Sequence, residues 1–301
     1  MSPLAPADAG TDELREAFEH GRVCALAAQG QRDLQRCMAE HPDLLGAGPF
    51  DAALASSIAL AMAFSAPWCD ATELRLTNRF VLWGFALDWQ VDHEIRSIGE
   101  LDMLVRRQLA VADGAPAEPD DPLGRFLAEL RAELAAVPAF ATLSGEWRDA
   151  AERTLVAMRR EWRWRAAGSD AGRPGLDEYL ANADNLGCTV VNVAHWIRNG
   201  GPAAHTRLGP LVAASDAVQR ALRLVNDLGT YERDRRWGDL NALMLVTDRS
   251  VVERELAARM RQAMALVDEL RPQHPREAAY LTRQLGHTSG FYRFTDFWGV
   301  A

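Results

Sequence analysis

The 301 residues contain no lysine, and all 33 basic side chains are arginine. That absence excludes Schiff-base chemistry, lysine general bases and the lysine of a phosphate-binding loop. Arginine can still clamp a phosphate through two parallel hydrogen bonds. Cysteine is scarce too. Cys24, Cys37, Cys69 and Cys188 include no C-x-x-C pair and no histidine at zinc-ligand spacing. Free thiols in a reducing cytoplasm are the expectation, not a disulfide frame or a metal site. Long hydrophobic runs are missing as well. The longest, residues 52–66, carries Ser56, Ser57 and Ser65 and falls short of the ~20 residues that cross a bilayer, so it reads as a core helix. No basic-then-apolar leader opens the chain, and the expected location is cytoplasmic.

Positive charge is in deficit: 33 basic against 42 acidic residues leave a formal charge of −9. Such a balance argues against nucleic acid or an anionic membrane surface as a partner. Strand signals and fixed-period repeats are absent. What the chain does have is helical periodicity punctuated by glycine and proline. After a loose Pro- and Ala-rich tail over 1–10, helices are predicted at about 11–28, 30–43, 51–66, 71–96, 99–113, 122–137, 144–167, 176–186, 187–198, 208–236, 249–270 and 274–296. The breaks are short, which predicts one all-α domain spanning 11–301.

Two stretches carry chemistry. Asn226, Thr230 and Asp234 stand at i, i+4 and i+8. On a helix they drift only about 80° around one face and form a row of oxygens roughly 12 Å long. Hard oxygens in a row suit Mg²⁺, which would sit over Thr230 with Asp234 leaning back toward it. A solvated polar face would carry the same residues. The second stretch closes the 71–96 helix. Phe80-Val81-Leu82-Trp83-Gly84-Phe85-Ala86-Leu87 is apolar all round, as a buried helix is, and Asp88 and Asp92 follow it. These carboxylates lie about 40° apart, repelling one another and the negative end of the helix dipole. A bound cation relieves both repulsions; a solvated helix end paired with Arg96 is the plainer alternative. Two such acidic helices in one all-α chain predict a metal–diphosphate site.

With these residues in place, the chain resembles a class I terpene synthase of the microbial type. That family carries Asn-Asp-x-x-Ser/Thr-x-x-Arg/Lys-Glu/Asp, and Asn226, Asp227, Thr230, Arg233 and Asp234 match every fixed place. Its aspartate-rich motif, Asp-Asp-x-x-Asp/Glu, is matched at its ends by Asp88 and Asp92, with Trp89 in the second acidic place. The resemblance covers roughly residues 50–299. It implies the isoprenoid-synthase helical bundle around a deep apolar cavity, three Mg²⁺ ions, and a linear polyprenyl diphosphate as substrate. Asp88 and Asp92 would hold metal from one side, and Asn226, Thr230 and Asp234 from the other. Arg233 would contact the diphosphate, and Asp88, Asp92, Arg233 and Tyr292 form the implied catalytic set. The substrate ionises, the carbocation cyclises and diphosphate leaves. A homodimer is compatible with the resemblance.

The family pattern is not met everywhere. Its diphosphate-sensing arginine would stand at residue 183, after Tyr179-Leu180-Ala181-Asn182, where this chain has Ala183. Gly187 does match the family's small residue at a helix break. A C-terminal Arg-Tyr pair is represented by Tyr292 with Arg293 displaced after it. Arg223, Arg293 and the arginines of 159–165 are left to supply the missing charge. Trp89, about 100° around the helix from Asp88, need not face the metals. Trp83, Trp89, Phe64, Phe80 and Phe291, with Trp162 and Trp196, are candidate faces for stabilising a carbocation, although aromatics at helical spacing are equally ordinary core. His93 and His195 read as structural. Small residues at Ala52, Ala53, Ala55, Ala59, Ala61 and Ala63 suggest a roomy cavity. Together with an incomplete aspartate-rich motif, which some bacterial diterpene cyclases share, they lean toward geranylgeranyl diphosphate. The alternatives are a sesquiterpene cyclase on farnesyl diphosphate, a chain-elongating synthase of the same fold, and a non-catalytic polyprenyl-diphosphate-binding helical protein.

Overall fold

Acidic and hydroxyl caps begin five of the described helices. Asp51 accepts from the amides of Ala53 and Leu54, Asp121 from Gly124, Asp248 from Ser250, and Ser97 from Glu100. Asp70 and Glu73 form a reciprocal capping box. Each cap satisfies an amide that has no partner within its helix, contributing about 1 kcal/mol, and the carboxylates also suit the helix dipole.

The computed structural model describes residues 12–46, 48–168 and 172–299, so the proposed tail over 1–10 lies outside the described residues. Thirteen α-helices follow: α1 (Asp12–Glu40), α2 (Pro42–Leu45), α3 (Ala52–Ser65), α4 (Ala71–Trp89), α5 (Ile98–Ala112), α6 (Pro122–Ala135), α7 (Phe140–Ala167), α8 (Leu176–Ala181), α9 (Cys188–Asn199), α10 (Pro202–Thr206), α11 (Gly209–Trp237), α12 (Arg249–Leu270) and α13 (Pro275–Phe291). No strand occurs among the described residues, so the class is all-α as expected. Among the described residues, no helix is long and apolar enough to cross a membrane.

Several boundaries differ from the sequence reading. The predicted break near residue 29 does not exist, because Gly30 serves packing. A β-carbon there would stand 2.8 Å from Asn78 Nδ2 and 3.3 Å from Ala59 Cβ, so glycine lets α1 lie close on α3 and α4. Ala55, Ala59 and Ala63 are buried in the core; of the α3 alanines singled out in the sequence, only Ala61 reaches the cavity. The expectation that these alanines create room is corrected accordingly. After Trp89, the predicted continuous helix widens into a π turn, Gln90–Glu94, closed by the Ile95 amide on Gln90 O at 2.9 Å. α13 ends at Phe291, and residues 292–298 turn back over the bundle.

The core is built on fully buried Trp83, Trp147, Trp196, Phe80, Phe126 and Tyr280. α4 packs on α1, α3, α6 and α9, while α11 packs on α9, α12 and α13. α7 lies against α5 and α9. A cavity of about 230 Å³ opens between α3, α4, α7, α9, α11 and α13.

Candidate active site

Both acidic stretches line this cavity. Asp88 lies in the last turn of α4 and Asp92 in the π turn, while Asn226, Arg233 and Asp234 face inward from α11. α11 stops at Gly238, whose φ of +81° glycine adopts without strain. The amides of Gly238 and Asp239 both return to Asp234 O, at 2.8 and 2.9 Å. This cap folds the chain back so that Asp239 also lines the cavity, opposite Asp92. One nitrogen of Arg165, in the last turn of α7, lies 2.7 Å from both Asp92 Oδ1 and Asp239 Oδ1.

These carboxylates are electrostatically unsatisfied. Burial pushes the Asp88 carboxyl up to about 7, with Asp239 adding repulsion and Arg233 opposing it. Asp92 is held well above the usual carboxylate range by burial and by Asp88, against the pull of Arg165. Asp239 is raised by burial too, with Arg165 opposing. The remaining charge sits deeper. Arg223 reaches Tyr179 OH at 2.6 Å and Glu161 Oε1 at 2.9 Å, with its guanidinium carbon 4.6 Å over the Tyr179 ring. Asp227 accepts from Tyr179 OH at 3.0 Å and from the Ala242 amide, and burial raises it to about 7.

On α11, Asn226 gives its amide hydrogen to Tyr292 OH at 2.8 Å, which leaves Oδ1 as the acceptor for a cation. Thr230 Oγ1 lies within hydrogen-bond distance of Asn226 O (2.8 Å) and Asp234 Oδ2 (2.7 Å). Thr230 is fully buried and reaches the cavity only through these neighbours. Asp234 also takes Arg233 at 2.9 Å and Asn241 Nδ2 at 2.8 Å. Arg233 is clasped between Asp234 and Asp296, the latter at 2.8 Å, under the Trp237 ring.

Away from the acids the wall turns apolar, with Met62, Val81, Phe85, Met158, Val190, Leu222 and Phe297. Trp83, Trp162 and Gly187 line it, as do Arg223 and Tyr292. Gly187 has a φ of +70°, at the break between a 3-10 turn over 183–186 and α9.

Five expected substrate contacts lie outside the cavity wall. Phe80 is buried against Trp147, with ring centroids 5.8 Å apart. Trp89 points into a cluster of Phe50, His93 and Trp298. Phe64 and Phe291 each stack on His287. Arg293 is exposed, because the chain turns outward there. Trp196 also belongs to the core. His195 accepts at Nδ1 from Thr77 and Asn199 and stacks on Tyr280, the structural role expected of it.

Sequence reasoning missed Asp239, Glu161, Asn241 and Asp296, and saw Arg165 only as one of a cluster. Asp239 had a signal in the Gly238-Asp239 pair directly after the end of α11. Asp296 had none, since its partnership with Arg233 spans 63 positions.

All the candidate metal-side donors are oxygens. Asn226 Oδ1 and the carboxylates of Asp88, Asp92, Asp234 and Asp239 make a hard donor set at the wall, with Thr230 Oγ1 behind Asp234, and the raised carboxylates are the ones a divalent cation would relieve. The residues therefore fit a Mg²⁺-type ion.

Residues 79–274 match terpene synthase family 2, C-terminal metal binding. The chain belongs to this family. It is 33% identical over 273 residues to ent-pimara-9(11),15-diene synthase of Streptomyces sp. (strain KO-3988), covering 89% of this chain and 90% of that protein. It also superposes on 2-methylisoborneol synthase from Streptomyces coelicolor A3(2), solved with Mg²⁺ and geranyl-S-thiolodiphosphate. That match has a TM-score of 0.69 and 16% identity over 89% of this chain and 91% of the other. Linalool/nerolidol synthase from Streptomyces clavuligerus, solved with 2-fluorogeranyl diphosphate, gives a TM-score of 0.66 at 17% identity over 86% of this chain and 94% of the other. The protein is thus a class I terpene synthase with the isoprenoid-synthase fold, from a metal-binding family.

Proposed function

We propose that this terpene synthase is a Mg²⁺-dependent diterpene cyclase. On this reading it ionises geranylgeranyl diphosphate and cyclises the resulting carbocation, with three ions at the diphosphate. The observation that carries the reading is one cavity with two chemistries. Asp88, Asp92, Asn226, Asp234 and Asp239 line one part of it, and aliphatic and aromatic side chains supply much of the rest, interrupted by polar groups such as Ser65, Thr154, Gln284 and Thr288. A polyprenyl diphosphate has the same division, a polyanion on a hydrocarbon chain. The 33% identity to a diterpene synthase supports the C20 length.

Asp88 and Asp92 would hold metal from α4 and its π turn, and Asn226, Thr230 and Asp234 from α11. Bound Mg²⁺ supplies the Lewis acidity that stabilises departing diphosphate. Tyr292 fixes the Asn226 amide with its oxygen toward the ion. Arg233, held by two carboxylates, presents its charge to the diphosphate end, and Arg223 does so from below. Trp83 and Trp162, both in the cavity wall, would be the aromatic side chains that stabilise the carbocation. The apolar wall excludes water, which would otherwise quench the cation early. The helices from residue 11 onward would serve as one catalytic domain.

The test is incubation with C10, C15, C20 and C25 polyprenyl diphosphates with and without Mg²⁺, reading products by mass spectrometry. A cyclic C20 hydrocarbon formed only with Mg²⁺ is expected. Exclusive turnover of the C15 substrate would reject the chain length, and activity surviving excess EDTA would overturn the metal chemistry.

A further inference from the structure

Arg165 occupies an unusual position for a helix-end arginine. A single terminal nitrogen, with its two N–H bonds, serves two carboxylates from different elements: Asp92 of the π turn and Asp239 of the loop after α11. All three side chains are largely buried, with relative exposures of 17%, 26% and 16%. The two arginines that line the cavity tie other pairs of elements. Arg233 is clasped by Asp234 and Asp296, and Arg223 by Glu161, Tyr179 and Leu240 O, deep in the core. Arg165 stands between Asp92, a residue assigned above to the metal, and Asp239, which joins the α4 side of the site to the loop after α11, whereas Arg233 ties Asp234 to Asp296 of the C-terminal segment.

Two carboxylates brought to one nitrogen in a poorly hydrated setting are relieved by a cation between them or by taking up a proton, and here Arg165 is placed to supply the cation. In the protein without ligands that cation is a guanidinium on the chain itself. A divalent ion reaching Asp92 must first break the Arg165 contact. We propose that Arg165 is the resident counter-cation of the metal-free site, a positioning residue that keeps Asp92 and Asp239 together until metal and diphosphate arrive, and that competes with the metal for Asp92. The inference rests on the Mg²⁺-dependent reading of the site. Its consequence is a gate on order of binding. Metal alone gains too little at Asp92 to displace an internal partner, whereas metal arriving with diphosphate brings an anion to which the freed guanidinium can turn. Asp239 retains Arg165 at the site during that exchange.

Mn²⁺ is the probe, since it shares the oxygen-donor preference of Mg²⁺ and its free form is counted by electron paramagnetic resonance. Without diphosphate, Arg165→Met is expected to bind Mn²⁺ roughly tenfold more tightly than the unaltered protein, about 1.4 kcal/mol. Arg163→Met removes an exposed charge two residues away and controls for the general field; it should shift affinity by less than about twofold. Arg165→Gln keeps a hydrogen-bond donor in place and is expected to move in the same direction as Arg165→Met, which guards against a variant that does not fold. Unchanged or weaker Mn²⁺ binding in the Arg165 variants, or an equal gain in Arg163→Met, would overturn the proposal. The two readings separate cleanly. If the unaltered protein takes up no Mn²⁺ even with inorganic diphosphate present, the functional reading has failed. If it does so and Arg165→Met gains nothing, only the role of Arg165 has.

Discussion

Trp89 packs against Phe50, His93 and Trp298 with centroids 6.4, 4.1 and 5.8 Å away, on the side of α4 that Asp88 does not use. Restoring the family's acid there places a carboxylate among rings. Trp89→Asp is therefore expected to lose about 2–4 kcal/mol of stability, seen as a lower melting temperature. Turnover by the folded fraction should stay within about tenfold. A large gain in rate would instead mark the first motif as decayed. Asp92→Asn and Asn226→Ala should each cut turnover by more than about a hundredfold, over ~2.7 kcal/mol of barrier, with the helical circular dichroism intact. His195 gives a prediction in pH. Burial lowers its pKa from 6.5 to about 4, so the folded state resists a proton that the unfolded chain accepts. Its contribution is present above pH 6.5 and is lost as pH falls toward 4, up to roughly 3 kcal/mol. Across that window the raised carboxyls of Asp88 and Asp227 act in the opposite sense, so the denaturant midpoint of the natural chain should lose ground relative to that of His195→Gln, the difference isolating the histidine. Asp88, Asp92, Asn226 and Asp234 were legible because helical spacing alone puts them on shared faces. Asp239 and Arg165 were not, because their meeting depends on where three separate elements end.

At the scale of elements, the sequence marks helices by period and their starts by caps, and α12 and α9 fall where expected to within a residue. What it conceals are departures enforced by tertiary contact. The π turn over 90–94 bears Asp92, yet nothing in Gln-Val-Asp-His-Glu distinguishes it from an ordinary helix end; π turns are held by their surroundings and recur at functional sites. Gly30 reads as a breaker and proves to be a contact. Gly229 is a second such glycine, inside the α11 motif. A β-carbon there would meet Tyr292 O at 2.7 Å and Tyr292 Cβ at 3.1 Å, both too close for a backbone to ignore. Gly229→Ala should push the segment after α13 away and take Tyr292 from Asn226. A loss of about 1–3 kcal/mol in stability is expected, with turnover falling further than stability explains. Full activity in Gly229→Ala would show that the segment is free to move aside.

For the whole molecule, the ligand site lies where α4, α7, α11 and the segment after α13 converge, so occupying it should stabilise the bundle as a unit. Mg²⁺ with inorganic diphosphate should raise the melting temperature by several degrees, the equivalent of ~2.7 kcal/mol at a hundred times Kd, and neither should do so alone. Identical melting curves in all four conditions would contradict a shared site. The C-terminal segment has one more use. Its anchors, Tyr292 and Asp296, are held by Asn226 and Arg233, the residues assigned to metal and diphosphate, while Phe294 between them is 86% exposed. Cys37 and Cys69 are buried, Cys188 is half-buried, and only Cys24 stands in solvent. Thiol dyes would thus report from a single chosen place once Cys24→Ser and Phe294→Cys are combined. A fluorophore there would sense the strain on two tethers at once, and its brightness would give a running count of filled sites during catalysis without any labelled substrate.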